Sequence, residues 1–131
     1  MRQVSFPASF DARLPGWLRG ALRDRYFWAM LIVALFVNVG LFAFLFLVMP
    51  QLPLLTSLHF NAAGQPDRIE SREAIFSLPQ IGLVMIGLNF ALGALAHRRE
   101  TLVSYLLGGV AIGAQFLLWF AAISIVRFAI A

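Results

Sequence analysis

Residues 26–49, with the sequence YFWAMLIVALFVNVGLFAFLFLVM, form a long apolar run. Asn38 is its only strongly polar side chain, and about 20 apolar residues are enough for a helix to cross the hydrocarbon core of a bilayer. Two further apolar stretches follow at residues 77–96 and 102–126. The sequence therefore predicts three transmembrane helices.

The composition excludes a soluble globular protein. Of 131 residues, 61% are hydrophobic and 12% are charged, which leaves too little polar surface to cover a water-exposed domain. The chain has no cysteine, so disulfides, thiolate metal sites and Cys-ligated clusters are excluded. We predict an all-α membrane protein with a single domain, residues 1–131, that is not an enzyme.

The segment before the first span has the pattern of an amphipathic helix. Its apolar residues follow the i, i+3, i+4, i+7, i+8 spacing of one helical face, and they are Leu14, Trp17, Leu18, Ala21 and Leu22. Asp11 is the expected N-cap. We predict an interfacial helix within a cytoplasmic tail, residues 1–25, with Trp17 at headgroup depth and arginines toward anionic lipid. A solvated, loosely helical tail is the alternative.

The arginines predict the orientation of the chain. All ten basic residues are arginines, and they lie mainly at the ends of apolar runs, which argues against a nucleic-acid partner. With residues 1–25 and a turn at 97–101 in the cytoplasm, the inner side holds Arg2, Arg13, Arg19, Arg23, Arg25, Arg98 and Arg99, and the outer side holds Arg68, Arg72 and Arg127. Because the arginine-rich side is normally cytoplasmic, we expect the N-terminus inside and the C-terminal residues 127–131 outside a bacterial cytoplasmic (inner) membrane.

Residues 50–76 form the one long polar segment, which we predict to be an ordered extracytoplasmic loop. Prolines and Gly64 interrupt it against a continuous helix. We expect residues 58–60 to be extended, with turns at 61–64 and 65–67. Ser71 would then cap a short amphipathic helix that leads into the second span.

Two interpretations of the charged loop residues stay open. Ion pairs from Asp67 to Arg68 or Arg72 would hold the loop, with Phe60 and Ile69 as apolar anchors, and this structural interpretation is favoured. In the alternative, a cation site or an acid–base group would use His59, Asp67, Glu70 and Glu73.

Polar and small residues are expected to pack the spans together. Asn38 lies at mid-membrane, where an unpaired amide is costly, so it should face another helix, as should Asn89 and Gln115. The short turn at 97–101 forces the last two spans into an antiparallel hairpin. Small residues four apart allow close helix approach, and we predict a seam at Gly87, Ala91, Gly109 and Gly113.

The inventory of possible ligands argues against a cofactor. His59 and His97 fall on opposite membrane faces, so they cannot share a metal, and neither lies within a span where it could ligate haem or chlorophyll. His97 as a single axial ligand is the alternative. Because no acidic residue or lysine lies inside a span, proton-coupled transport is disfavoured. We expect no catalytic residue, no metal and no cofactor.

The segment LPLLTSLHFNAAGQPDRIESRE, residues 52–73, resembles the loop signature of the SdpI-type bacterial immunity proteins, whose N-terminal domain of unknown function has two membrane helices. That pattern reads Leu-Pro, then Pro-x-His-Phe-Asn, then Gly-x-Pro-Asp, then Ser-Lys or Ser-Arg, and the resemblance covers about residues 26–96. Ser57 stands where the pattern has its second proline. The matching positions are Leu52, Pro53, His59, Phe60, Asn61, Gly64, Pro66, Asp67, Arg68, Ser71 and Arg72.

Two functions are compatible with these observations. The favoured one is a non-catalytic accessory subunit, packed on a larger membrane complex such as an electron-transfer or other energy-transducing complex. Its partners would be the lipid bilayer and the other membrane subunits of that hetero-oligomer. The resemblance implies the alternative, a free-standing immunity or signalling protein that acts against an envelope-directed toxin.

Overall fold

The computed structural model describes residues 13–131. Helix α1 spans Gly16–Arg23, α2 spans Arg25–Val48, α3 spans Ser77–His97 and α4 spans Thr101–Ile130. An antiparallel hairpin of strands β1, Leu55–Phe60, and β2, Pro66–Ser71, joins α2 to α3. Short 3₁₀ turns flank it at Met49–Gln51 and Arg72–Phe76. Since α2, α3 and α4 are each long and apolar enough to cross a membrane, the predicted all-α membrane fold is confirmed.

Two apolar clusters and a polar layer between them hold the three long helices together. The cluster nearer α1 includes Phe27, Ile86 and Phe90. The cluster nearer the hairpin includes Leu41 and Ile125. Many of the largest apolar side chains point outward instead of into these clusters, as lipid-facing residues do, among them Phe36, Phe46, Leu117 and Phe120.

Helix α4 is longer than its apolar window. The predicted span ended at residue 126, with residues 127–131 as an outer tail, but the helix continues to Ile130. Its 30 residues measure about 45 Å at the usual rise per residue, against about 30 Å for a hydrocarbon core. The additional turn carries Phe128, whose ring meets that of Phe60 edge-on at 4.6 Å between centroids. The end of α4 therefore supports the hairpin.

The hairpin differs in part from the predicted loop. The extended residues 58–60 belong to β1, but the predicted turn at 65–67 is wrong because Pro66 already begins β2. A single turn closes the hairpin, with the amide of Asn61 donating to the carbonyl of Gln65 at 2.9 Å. Gly64 lies in this turn with a φ of +74°, a conformation that glycine adopts without steric cost.

Helix α1 folds back onto the end of α3. It begins at Gly16, directly after Pro15, and the predicted N-cap Asp11 lies outside the described residues. Ala21 is buried and Leu18 packs against the cluster that contains Phe90. Its placement in the membrane interface stays a prediction.

Candidate functional site

A buried amide layer joins the three long helices halfway along the bundle. Asn38 of α2 donates to the side-chain oxygen of Gln115 on α4 at 2.9 Å and to the carbonyl of Pro79 on α3 at 3.0 Å. Gln115 donates to the carbonyl of Gly82 on α3 at 3.1 Å. Both amides are at most 2% exposed. Each amide thus finds its partners within the bundle, and the layer is a structural junction.

The side chain of Asn89 does not form the predicted interhelical hydrogen bond. Its side chain donates to the carbonyl of Met85, one turn earlier in the same helix, at 2.8 Å. The expectation of an interhelical bond is therefore wrong for this residue.

The predicted seam of small residues is also wrong. Gly87, Ala91, Gly109 and Gly113 are all exposed. At the three glycines, an added Cβ would meet nothing within 4 Å. The close approaches are made instead at Gly82 and Gly93 against α4, and at Gly108 against Met30 of α2. Spacing by four fixes which residues share a helical face, but it does not say where that face points.

The predicted loop residues mainly build the hairpin turn and its cross-strand contacts. The side-chain oxygen of Asn61 accepts from the amides of Ala63 and Gln65 at 2.9 and 3.0 Å. His59 Nδ1 lies 2.6 Å from Asp67 Oδ1 across the strands. This pairing replaces the predicted pairs of Asp67 with arginines, which are wrong.

The arginines pair with other acids, near the base of the hairpin. Arg68 donates to Glu70 at 2.6 Å and Arg72 to Glu73 at 3.3 Å. The carbonyl of Pro53 accepts from the buried hydroxyl of Thr56 at 3.0 Å. Ser71 lies opposite Leu55 and precedes the 3₁₀ turn without a side-chain capping bond. The side-chain contacts named here are local, since each joins residues at most three positions apart along the chain.

A cleft of about 180 Å³ lies between the hairpin and the adjoining ends of α3 and α4. Its polar rim comes from His59 and Arg68, the two loop-signature residues that reach it. The remaining lining residues are Leu58, Ser77, Leu78, Ile81 and Ile125. The cleft is mainly apolar, and both rim side chains already have carboxylate partners.

At the opposite end of the bundle lies a polar cluster that we call the Asp24 clamp, formed by Asp24, His97, Ser104 and Tyr105. Asp24 accepts from the Tyr105 hydroxyl at 2.5 Å, and His97 Nε2 lies 3.4 Å from the same carboxylate oxygen. His97 Nδ1 lies 3.2 Å from the Ser104 hydroxyl. The other oxygen of Asp24 caps α2 by accepting from the amide of Tyr26 at 2.8 Å. The clamp therefore ties the α1–α2 junction to the α3–α4 turn.

Two chemical roles for the clamp can be judged from its geometry. Both ring nitrogens of His97 already have polar partners, so the axial-ligand alternative has no support here. The order Ser104, His97, Asp24 matches the residue types of a hydrolytic triad, but Ser104 is 1% exposed. A nucleophile must reach its substrate, so we interpret the cluster as structural.

Among residues 13–131, no three His, Asp or Glu side chains lie together as a metal site would need.

Sequence reasoning missed the clamp because its members are distant along the chain. Asp24 and Tyr105 are 81 positions apart, and nothing in the local pattern joins them. The available signal was the position of Asp24 and His97 at the ends of neighbouring spans on the same predicted face.

Comparison with known proteins locates similarity in the first half of the membrane region. No curated protein and no solved structure matches the chain. Residues 27–83 match the model of a family described as a domain of unknown function, DUF1648. The matched region contains nearly all of α2, the whole hairpin and the first residues of α3, whereas α1, most of α3 and α4 lie outside it.

Proposed function

We propose that this protein is a small, non-catalytic membrane subunit that packs on and stabilises a larger membrane complex, such as an electron-transfer or other energy-transducing complex. The outward face of the hairpin carries the proposal. The pairs Leu55–Ser71 and Ser57–Ile69 place Leu55 and Ile69 on the same face of the sheet. These two side chains are 68% and 60% exposed. They lie outside the three helices that lipid tails would cover, and a partner subunit would bury them.

The interior of the bundle supports a passive role. No Asp, Glu or Lys lies in α2, α3 or α4. The buried amides Asn38 and Gln115 bond to each other and to carbonyls of α3. Intramembrane transport sites normally need ionisable groups that face a pathway, and the described helices use their polar groups to hold one another.

The proposed orientation follows from the arginines. The end with α1 and the α3–α4 turn would be cytoplasmic, and the hairpin and the end of α4 would be outside. The hairpin face would then meet a partner at the outer surface of the membrane.

Extraction in a mild detergent, followed by a native gel and mass spectrometry of the band, tests the proposal. We expect the protein to migrate with stoichiometric membrane partners, and Leu55→Ser/Ile69→Thr to release it from them. Ala62→Ser, at the exposed tip of the turn, is the matched control and should keep the partners. Migration of the unmodified protein as a monomer or small homo-oligomer without partners would refute the proposal.

A second candidate function rests on the resemblance of residues 52–73 to the loop signature of the SdpI-type immunity proteins. These residues lie within the segment that matches the domain of unknown function. In this function the protein would act alone, conferring resistance to an envelope-directed toxin or sensing it. Partner-free migration, together with toxin sensitivity of a strain that lacks the protein, would favour this candidate over the first.

A further inference from the structure

We propose that the arginine-rich end of the bundle binds the phosphate headgroups of anionic phospholipids. The contact between Asp24 and His97, 3.4 Å apart, brings two distant parts of the chain together. Arg25 follows Asp24, and Arg98 and Arg99 follow His97. The Asp24 clamp thus places Arg25, Arg98 and Arg99 at the same end of the bundle.

Little negative charge offsets these arginines at the surface. The Asp24 side chain is 13% exposed, and its oxygens already accept from Tyr105 and from the amide of Tyr26. Glu100 is the other acidic residue near this end among residues 13–131. Arg98 and Arg99 are exposed in the α3–α4 turn. Guanidinium groups bind phosphate oxygens in a bidentate geometry, so this surface suits a phosphate.

Aromatic residues indicate that the patch lies at headgroup depth. Trp17 of α1 is 40% exposed, and the indole of Trp28 donates to the carbonyl of Leu22 at 2.7 Å. The ring of Tyr26 contacts the guanidinium of Arg25, 4.8 Å from the ring centroid. Tryptophan and tyrosine concentrate at the boundary between headgroups and acyl chains. The phosphate is therefore expected from a lipid and not from a soluble anion.

Native mass spectrometry of the purified full-length protein, with phosphatidylglycerol or phosphatidylcholine added to the detergent, tests this inference. We expect tighter binding of phosphatidylglycerol. Arg98→Gln/Arg99→Gln should weaken that preference by about fivefold for each arginine removed. The control Arg127→Gln removes an exposed arginine from the far end of α4 and should leave the preference unchanged.

Two further arms keep the inference falsifiable if the double variant folds poorly. Arg98→Lys/Arg99→Lys keeps both charges and should retain more of the preference than the glutamine variant; an equal loss would contradict a charge-based site. Soluble glycerol phosphate should not displace the lipid, and displacement would show a site for free phosphate esters. No preference in the unmodified protein, or an equal loss in Arg127→Gln, would overturn the proposal.

Discussion

Substitution of Gly82 by alanine should disrupt the amide layer at the centre of the bundle. A Cβ at this position would clash with Asn38 Nδ2 and would lie 2.7 Å from Gln115 Oε1. Real Cβ atoms do not approach other atoms this closely, so the amides or the helices must move. Both amides are hydrogen-bonded to neighbouring helices, so neither side chain can rotate away from the new Cβ without breaking a hydrogen bond.

The expected loss can be estimated from the bonds involved. Three interhelical hydrogen bonds, from Asn38 to Gln115 and Pro79 and from Gln115 to Gly82, are at risk. Such bonds in membrane proteins average about 0.6 kcal/mol each, and overpacking of a tight interior costs about 1–3 kcal/mol. If all three bonds are lost, we expect Gly82→Ala to lower the free energy of unfolding by about 3–5 kcal/mol.

Reversible unfolding in detergent, followed by circular dichroism and tryptophan fluorescence, gives the measurement. Gly87→Ala is the matched control, because Gly87 lies in the same helix and a Cβ there meets nothing within 4 Å. The control should be as stable as the unmodified protein or more stable by up to about 1 kcal/mol, because alanine has a higher helix propensity than glycine. In an Asn38→Ala background, Gly82→Ala should cost less than it does alone, since one clashing group is gone. Equal stability of Gly82→Ala and Gly87→Ala would contradict a clash between a Cβ at position 82 and the amide layer.

The three spans could be predicted because a long apolar run by itself indicates a transmembrane helix. A membrane helix satisfies its backbone hydrogen bonds internally, so its existence depends on local hydropathy and not on distant contacts. The polarity of Asn38 and Gln115 in these runs also pointed to interhelical bonding, and the structure pairs the two residues.

The direction of each helical face could not be predicted in the same way. Gly108 and Gly109 are neighbours about 100° apart around the helix axis, and only Gly108 is buried. In the observed orientation of α4, the Gln115 amide bonds to Asn38 and to the carbonyl of Gly82. Motif spacing contains no information about such distant partners.

The end of α4 was misjudged for a different reason. Arg127 ended the apolar window, and the predicted span stopped before it. A charged side chain ends the hydrophobic run but not the helix, because arginine has good helix propensity and its long stem can carry the charge to the membrane surface. The additional turn of α4 is important for the hairpin because it carries Phe128, whose ring contacts Phe60 of β1.

Three further predictions concern the turn, the orientation and the clamp. Gly64→Val should open the hairpin to proteolysis and lower the amount of protein in the membrane, because a β-branched residue at a φ of +74° costs about 1–3 kcal/mol. Asparagine tolerates this conformation, so Gly64→Asn should be cleaved like the unmodified protein. Equal cleavage of both variants would contradict the role of the turn. Reporter fusions at residue 64 and at the C-terminus should both report the outside, and a cytoplasmic signal at either would overturn the orientation. Asp24→Ala should destabilise the bundle more than Tyr105→Phe in the same unfolding assay. Tyr105→Phe removes one hydrogen bond, worth about 0.5–1.5 kcal/mol. Asp24→Ala removes that bond and the partner of His97, and it also removes the cap of α2, whose loss alone costs about 0.5–2 kcal/mol. If the two variants were equally stable, the Asp24 carboxylate would not be what joins the α1–α2 junction to the α3–α4 turn, and the arginines on either side would not be held together by it.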